Sequence, residues 1–194
     1  MARENFSIFA NDYFDRLSRT LYSLDLDPLE CLATDLELAW KNSKQVFLFG
    51  NGGSAGNAVH LANDFIYGIS KSLGNALKIH ALTANTSIIT CLANDEGYDK
   101  IFSGQLATLA SSGDIAIAFS GSGNSPNILS ALEYCKSNQI KSYAFLGYDG
   151  GKAKALCDVP IHAGVSDMQI SEDAQLILGH ILMQWMYSRR NLIC

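Results

Sequence analysis

Short apolar runs alternate with amphipathic segments from residue 45 to the end of the chain. The apolar runs lie near residues 45–49, 77–82, 114–119, 141–146 and 159–163. Segments with apolar residues at helical spacing lie near residues 54–68, 86–94, 98–110, 125–138 and 168–190. The runs lack a polar face, which is typical of strands that are covered on both sides. The pattern predicts an α/β fold, with a doubly wound five-stranded parallel sheet and helices on both of its faces.

Two further helices are predicted before the first strand. An aromatic stripe marks the first, near residues 3–24, and is formed by Phe6, Phe9, Tyr13, Leu17 and Leu21. The second, near residues 28–43, follows Asp27-Pro28 as N-cap and first residue and carries Leu29, Leu32, Leu36 and Trp40. Such a helical hairpin lies outside the βα repeat. We therefore expect a single domain, residues 1–194, in which residues 1–43 form a helical extension that packs at a subunit interface.

The length and charge of the chain limit the classes of function. A chain of 194 residues suits one α/β domain with a full core. Lys and Arg total 14 against 19 Asp and Glu, so the formal net charge is −5. Because the sequence has no basic stripe that could replace counterions, nucleic acid is not expected as a partner.

The cysteines and the hydropathy pattern predict a cytoplasmic protein. The five cysteines are scattered and never in C-x-x-C spacing, which favours reduced thiols over disulfides or metal ligands. The charged first residues lack the apolar core of a signal peptide, and no run of eighteen apolar residues occurs. We therefore expect no association with a membrane.

Two of the predicted strands end in loops rich in Gly and Ser, and a helix follows each loop at once. The loops are Gly50-Asn-Gly-Gly-Ser54 and Ser120-Gly-Ser-Gly-Asn-Ser125. Glycines let backbone N–H groups turn toward a ligand, serine hydroxyls add donors, and the N-terminus of a helix attracts an anion. Neither loop matches a dinucleotide-binding or Walker A motif, which favours a phosphate ester over a nucleotide.

Tight βα turns also use Gly and Ser, so each loop alone has a purely structural interpretation. Two similar loops favour a binding role. Because the carboxyl ends of parallel strands lie at one edge of the sheet, we expect both loops to face the same crevice.

Histidines supply the candidate chemistry. His60 and Asp64 are four residues apart on a predicted helix, a spacing that suits a metal site or an acid and base pair. His180 stands in an apolar part of the last helix. The alternative interpretations are that His60 and Asp64 form a hydrogen-bonded surface pair and that His180 is a core histidine. We interpret His80 and His162 as structural.

These features together resemble the SIS (sugar isomerase) domain family over almost the whole chain. The features are the two loops, His60, the segment Ala93-Asn-Asp-Glu-Gly-Tyr98, and a last helix with an acid and His180. The resemblance is strongest to the members that isomerise sedoheptulose 7-phosphate to an aldoheptose phosphate. It implies an aldose–ketose isomerase that works through an ene-diol. It also implies a homotetramer with sites between subunits, and one zinc ion per site.

The resemblance also implies roles for individual residues. Those expected to bind substrate are Asn51, Gly52, Gly53, Ser54, Asn94, Asp95, Ser120, Gly121, Ser122, Ser125 and Glu172. Those expected to hold the metal are His60, Asp64, Glu172 and His180. Catalysis is expected from Asp64, Glu172 and His180.

Two of these positions depart from the family pattern, which has a glutamate at 64 and a glutamine at 172. Asp64 is one methylene shorter than glutamate, so its carboxylate reaches less far. Glu172 adds a negative charge, which strengthens the binding of a cation but repels a bare phosphate. On one straight helix, residues 172 and 180 are about 12 Å apart. They meet at one ion only if the helix begins after residue 172 or if subunits share the site.

Two other functions fit the same resemblance. Some SIS proteins are binding modules without catalysis, such as the tetrameric replication-initiator-associated protein that binds a protein partner. The chain could also isomerise a different phosphosugar, since sequence does not measure the length of the sugar.

Overall fold

The structure, a computed structural model, describes residues 5–69 and 77–193. Over this part of the chain the strands are β1 (Gln45–Gly50), β2 (Lys78–Ala81), β3 (Ile115–Ser120), β4 (Lys141–Leu146) and β5 (Val159–His162). The α-helices are α1 (Phe6–Tyr22), α2 (Asp27–Lys41), α3 (Gly52–Asp64), α4 (Thr86–Asp95), α5 (Ser103–Leu109), α6 (Pro126–Ser137), α7 (Ala153–Leu156) and α8 (Met168–Ile193). The predicted start of the first helix at residue 3 and the last cysteine, Cys194, lie outside the described residues.

The sheet is doubly wound, as the sequence predicts. Its order is β2-β1-β3-β4-β5, and every pair of neighbours is parallel. The chain passes from β1 outward to β2 and then returns to the other side of β1 as β3. The strand order therefore reverses between β1 and β3, where a crevice opens at the carboxyl ends of the strands.

Two layers of helices cover the sheet. Side chains alternate along β1: Val46 and Leu48 join the core under α2, α3 and α8, while Phe47 and Phe49 join the core under α5 and α6. All four are at most 2% exposed. Burial on both faces explains why the strands read as unbroken apolar runs.

The two N-terminal helices have different surroundings. The predicted apolar stripe of α2 is buried against the sheet, with Leu32 and Trp40 at most 3% exposed. Helix α1 instead packs on α8, while Phe6 and Phe9 remain 80% and 54% exposed. The structure thus places α2 in the core of the domain, and only α1 has the character of an added helix.

Several helix boundaries differ from the predicted ones. Helix α2 begins at Asp27, with Leu26 at the N-cap, so Pro28 is its second residue. The helix predicted over 98–110 is divided into a 3-10 turn, Tyr98–Lys100, and α5. Ile101 and Phe102, between these two elements, are at most 2% exposed and lie where the backbone changes from the 3-10 turn to α-helix. None of the described helices is both long and apolar enough to cross a membrane.

Candidate active site

A crevice of about 270 Å³ lies at the point where the strand order reverses. The residues that line it are Asn51, Gly52, Gly53, Ser54, Phe119, Ser120, Gly121, Ser122, Ser125, Met168 and Glu172. Both Gly/Ser loops and the first turns of α8 therefore meet here. Nine of these residues belong to the predicted substrate-binding set.

The first loop delivers the N-terminus of α3 into the crevice. Asn51 is the N-cap residue, and Gly52 adopts a φ of +55°, where glycine alone is unstrained. Glu172 of α8 lies directly over the next residue, Gly53. A methyl group on Gly53 would overlap the Glu172 carboxylate. Gly53 thus gives Glu172 its place beside the positive end of the α3 dipole.

The second loop is held in shape by its own serines. Ser120 Oγ accepts a hydrogen bond from the Gly123 N–H at 3.1 Å, and Ser122 Oγ accepts one from the Asn124 N–H at 3.3 Å. The loop also packs on the turn at residues 149–151, where Asn124 Oδ1 accepts from the Lys152 N–H at 3.1 Å. These contacts fix the loop before any ligand binds.

The N-terminus of α6 follows this loop. Pro126 is in its first turn, and the Ser125 side chain makes no capping hydrogen bond. The Ser125 hydroxyl is therefore free to bind a ligand, as are the N–H groups at the start of α3. In α6, Pro126 has no N–H and the Ile128 N–H donates to Asn127 Oδ1, so this helix contributes mainly the positive end of its dipole. The arrangement is suited to a dianion such as a phosphate ester.

Glu172 adds a carboxylate to this crevice. The side chain is half-buried and forms no salt bridge or side-chain hydrogen bond to any other described residue. A carboxylate without a partner, beside donors for an anion, is placed to exchange a proton with a bound molecule.

A cluster of two histidines and a carboxylate lies farther along the same two helices. His60 Nε2 and His180 Nε2 are 2.9 Å apart, and Asp64 Oδ2 is 3.3 Å from each of them. The side chains are 48%, 36% and 23% exposed for His60, His180 and Asp64, so the cluster is open to a ligand.

These residues fit a divalent metal ion. One ligand atom from each residue lies within 4.8 Å of the other two. Two imidazoles and a carboxylate are a common donor set for zinc, and ligands about 2.0–2.1 Å from a tetrahedral ion are about 3.3 Å from one another. The shorter side chain of Asp64 is therefore compatible with the cluster, because the histidines converge on it.

Parallel packing of α3 and α8 aligns the crevice with the cluster. Asn57 Nδ2 donates to the Glu172 carbonyl at 2.9 Å, and Ser54 Oγ donates to Gln175 Oε1 at 3.1 Å. One turn further, Gly179 lies against Leu61. A π-helical turn, Phe65–Ile69, follows Asp64, and such turns are frequent at functional sites.

Within one chain, Glu172 is separate from the metal-binding cluster. Helix α8 begins at Met168, before Glu172, so residues 172 and 180 lie on one helix, about 12 Å apart along its axis. A role for Glu172 as a metal ligand depends on a second subunit and stays a prediction.

The predicted contact through Asn94 and Asp95 is not part of the crevice. Both residues are exposed at the end of α4, where Asn94 Nδ2 donates to Asp95 Oδ1 at 2.7 Å. Their contact with substrate stays a prediction.

The structure adds residues that sequence reasoning missed. Asn127, 0% exposed, and Tyr98 form hydrogen bonds to Asn51, and Gln175, 2% exposed, bonds to Ser54. Asn127 is two residues after the second loop motif, and Gln175 is three residues after Glu172. In the sequence, the only signal for Asn127 and Gln175 is that each is a polar residue on an otherwise apolar helix face.

The remaining histidines and the buried cysteines have local roles. His80 stacks on Phe47 with ring centroids 5.5 Å apart, and His162 Nε2 is 3.0 Å from the Tyr148 carbonyl oxygen. Burial raises the pKa of Cys135 to about 12 and that of Cys157 to about 11. These thiols therefore stay protonated and unreactive at neutral pH.

Comparison with known proteins identifies the class to which this fold and site belong. A family model for the SIS domain matches residues 11–147. The chain belongs to the SIS domain family.

Relatives within this family carry a more specific name, phosphoheptose isomerase. The one from a Nitratiruptor species is 40% identical over 144 residues, which make up 74% of this chain and 76% of that protein. The one from Chlorobaculum parvum is 35% identical over 176 residues, 89% of this chain and 83% of that protein. The solved structure of phosphoheptose isomerase GmhA from Neisseria gonorrhoeae matches with a TM-score of 0.86 and 27% identity. The match covers 95% of this chain and 100% of that one.

Proposed function

We propose that this protein is a cytoplasmic aldose–ketose isomerase that converts sedoheptulose 7-phosphate to glycero-manno-heptose 7-phosphate through an ene-diol. One observation carries the proposal. Helices α3 and α8 join a crevice suited to a phosphate ester with a histidine and carboxylate cluster suited to proton transfer and metal binding. The names of the relatives agree with this arrangement.

The phosphate group binds in the crevice between the two loops. The N–H groups at the start of α3 and the hydroxyls of Ser122 and Ser125 supply the donors, beside the positive end of the α6 dipole. Binding energy at the phosphate positions the reacting carbons at the other end of the substrate.

The length of the sugar matches the distance between the two parts of the site. Glu172 and His180 are about 12 Å apart along α8. An extended chain of seven carbons spans about 8 Å, since each carbon–carbon bond is about 1.5 Å long. A phosphate held by the loops therefore brings the first carbons of the sugar toward the histidines.

Asp64 is the better candidate for the base that moves a proton between the first two carbons, because it lies beside His60 and His180 at the end of the site that these carbons reach. Glu172 lines the crevice assigned to the phosphate, and the family pattern has at this position a glutamine, which accepts no proton. His180 serves the substrate oxygens by accepting or donating a proton there.

His60, Asp64 and His180 would hold one divalent ion per site, and zinc suits their donor atoms. When bound, the ion supplies polarisation of the substrate carbonyl. A second subunit is needed if Glu172 is also a ligand.

We further propose that the working protein is a homotetramer. The exposed aromatic side chains of α1 support an assembly, since Phe6, Phe14 and Tyr22 are 80%, 61% and 92% exposed. The expected mass in solution is four times the 21.0 kDa of one chain.

The test is turnover by the purified protein. Sedoheptulose 7-phosphate is incubated with the protein as purified, with added zinc, and after removal of metal by a chelator, and the aldoheptose phosphate is followed by NMR. We expect conversion with zinc and loss of conversion after chelation. No conversion under any of these conditions would refute the proposed function and favour a non-catalytic binding module.

A further inference from the structure

We propose that Asn127 is a positioning residue that orients the Asn51 amide so that it donates a hydrogen bond to the substrate. The inference rests on the proposed function, because Asn51 lines the crevice assigned to the sugar phosphate. Asn127 itself is 0% exposed and does not line the crevice.

The two side chains form a closed pair. Asn51 Nδ2 donates to Asn127 Oδ1 at 2.9 Å, and Asn127 Nδ2 donates to Asn51 Oδ1 at 2.8 Å. Asn51 is the N-cap residue of α3, with no capping hydrogen bond from its side chain, and Asn127 is in the first turn of α6. The pair therefore joins the two helix N-termini that form the anion-binding crevice.

A backbone group fixes the polarity of this pair. The Ile128 N–H donates to Asn127 Oδ1 at 3.0 Å, and a backbone N–H can only donate. The oxygen of Asn127 therefore faces Ile128 and the amide nitrogen of Asn51. It follows that the Asn127 nitrogen faces the Asn51 oxygen, and the orientation of both amides is determined.

Counting the hydrogen bonds of Asn51 shows what is left for a ligand. Its Oδ1 accepts one hydrogen bond from Asn127 Nδ2 and a second, at 3.1 Å, from the Tyr98 hydroxyl. These two bonds use both lone pairs of the oxygen. Its Nδ2 donates one of two hydrogens to Asn127. The second N–H has no acceptor among the described residues. Asn51 is thus oriented to donate a hydrogen bond to an oxygen of the substrate, and the Oδ1 of Asn51 is not available as an acceptor.

The experiment compares three variants of the full-length protein with the wild type. Asn127→Leu removes both bonds and keeps the branching of the side chain, although leucine is larger than asparagine. Tyr98→Phe removes one bond from a side chain that is 57% exposed, so this variant folds even if the first does not. Ser130→Ala is the matched control, because it removes a hydrogen bond of α6 to Ser103, 3.0 Å long, that is remote from the crevice residues.

Two readouts separate positioning from a merely structural role. Kinetics with sedoheptulose 7-phosphate should show a KM raised about tenfold in Asn127→Leu, about two- to threefold in Tyr98→Phe and unchanged in Ser130→Ala. The kcat should fall less than the KM rises. Hydrogen–deuterium exchange without substrate should be faster at residues 51–54 in Asn127→Leu only.

The outcomes also distinguish this inference from the proposed function. An active wild type together with an Asn127→Leu variant of normal KM and normal exchange overturns the positioning role and leaves the function intact. A wild type that does not convert the sugar refutes the function, and the exchange measurement then still tests the coupling between Asn127 and the first loop. If Asn127→Leu does not fold, an unchanged KM in Tyr98→Phe overturns the inference.

Discussion

Gly179 of α8 and Leu61 of α3 are in such close contact that a methyl group at position 179 would stand 2.5 Å from the Leu61 methyl carbons. His60 and His180 are the neighbours of this pair in sequence, and their Nε2 atoms are 2.9 Å apart. The absence of a side chain at 179 therefore lets the two helices approach closely enough to bring the histidines together.

Replacement of Gly179 by Ala should push the helices apart. We expect zinc affinity to fall at least tenfold and the free energy of unfolding to decrease by about 1–3 kcal/mol, because a methyl group is forced into a filled contact. Zinc titration and chemical denaturation measure the two effects. Gly56→Ala, in α3 with open space around the added methyl, is the control and should raise stability by about 1 kcal/mol. Equal zinc affinity in Gly179→Ala and the wild type would show that close packing is not needed.

Replacement of His180 by Gln should abolish turnover and leave the oligomeric state unchanged. Glutamine neither exchanges a proton near neutral pH nor supplies an imidazole ligand. The assays are turnover of sedoheptulose 7-phosphate and size-exclusion chromatography with light scattering. His80→Gln, an exposed histidine stacked on Phe47 outside the cluster, should keep normal turnover. A near-normal rate in His180→Gln would remove this residue from the mechanism.

The two carboxylates should respond differently to neutralisation. Glu172→Gln should lower the KM and leave kcat and zinc content unchanged, since it removes a negative charge beside the phosphate and restores the residue of the family pattern. Asp64→Asn should lower both zinc content and kcat, the latter by about 10²–10⁴, because the amide accepts no proton and its oxygen carries no charge for the ion. Steady-state kinetics and metal analysis of both variants give the comparison. A kcat lost in Glu172→Gln and kept in Asp64→Asn would make the glutamate the base instead.

Replacement of Ser122 by Ala should raise the KM about tenfold, because one donor to a charged phosphate oxygen is lost. The kcat should change little, since the reacting carbons are remote from this hydroxyl. Ser137→Ala, an exposed serine at the other end of α6, should leave both constants unchanged. An unaltered KM in Ser122→Ala would place the phosphate elsewhere.

Acid should weaken the attachment of α1 to the start of α8. Hydrogen bonds from the Ile170 N–H and then from the Arg16 guanidinium lower the pKa of Asp167. Its stabilising effect is therefore present above the unfolded pKa, about 3.9, and is lost as the pH falls below that value. Between about pH 5 and pH 2.5, Asp167→Asn should lose less stability than the wild type. Glu133→Gln, an exposed residue, should follow the wild-type curve, and a steep acid slope retained in Asp167→Asn would contradict the assignment.

The sequence predicted the sheet better than the helix boundaries. Strands buried on both faces, such as β3, leave an unbroken apolar run that is visible without the structure. The boundaries near residues 98–103 were wrong, because the spacing of apolar residues does not distinguish one continuous helix from a 3-10 turn followed by a short helix. The packing of α2 on the sheet could not be predicted either, since an apolar stripe does not reveal whether it covers the chain's own sheet or another subunit.

By itself, the sequence determined the α/β class, the two Gly/Ser loops and the pair His60 and Asp64, because these depend on local composition and spacing, while the resemblance to the SIS family supplied Glu172 and His180 as candidates. Only the tertiary structure decided how they are grouped. It brought His60, Asp64 and His180 together across 120 residues, left Glu172 in the crevice, and joined Asn51 to Asn127. Those groupings follow from the close parallel packing of α3 on α8 and from the reversal of strand order. Both are relations between segments far apart in the chain, which local patterns do not encode.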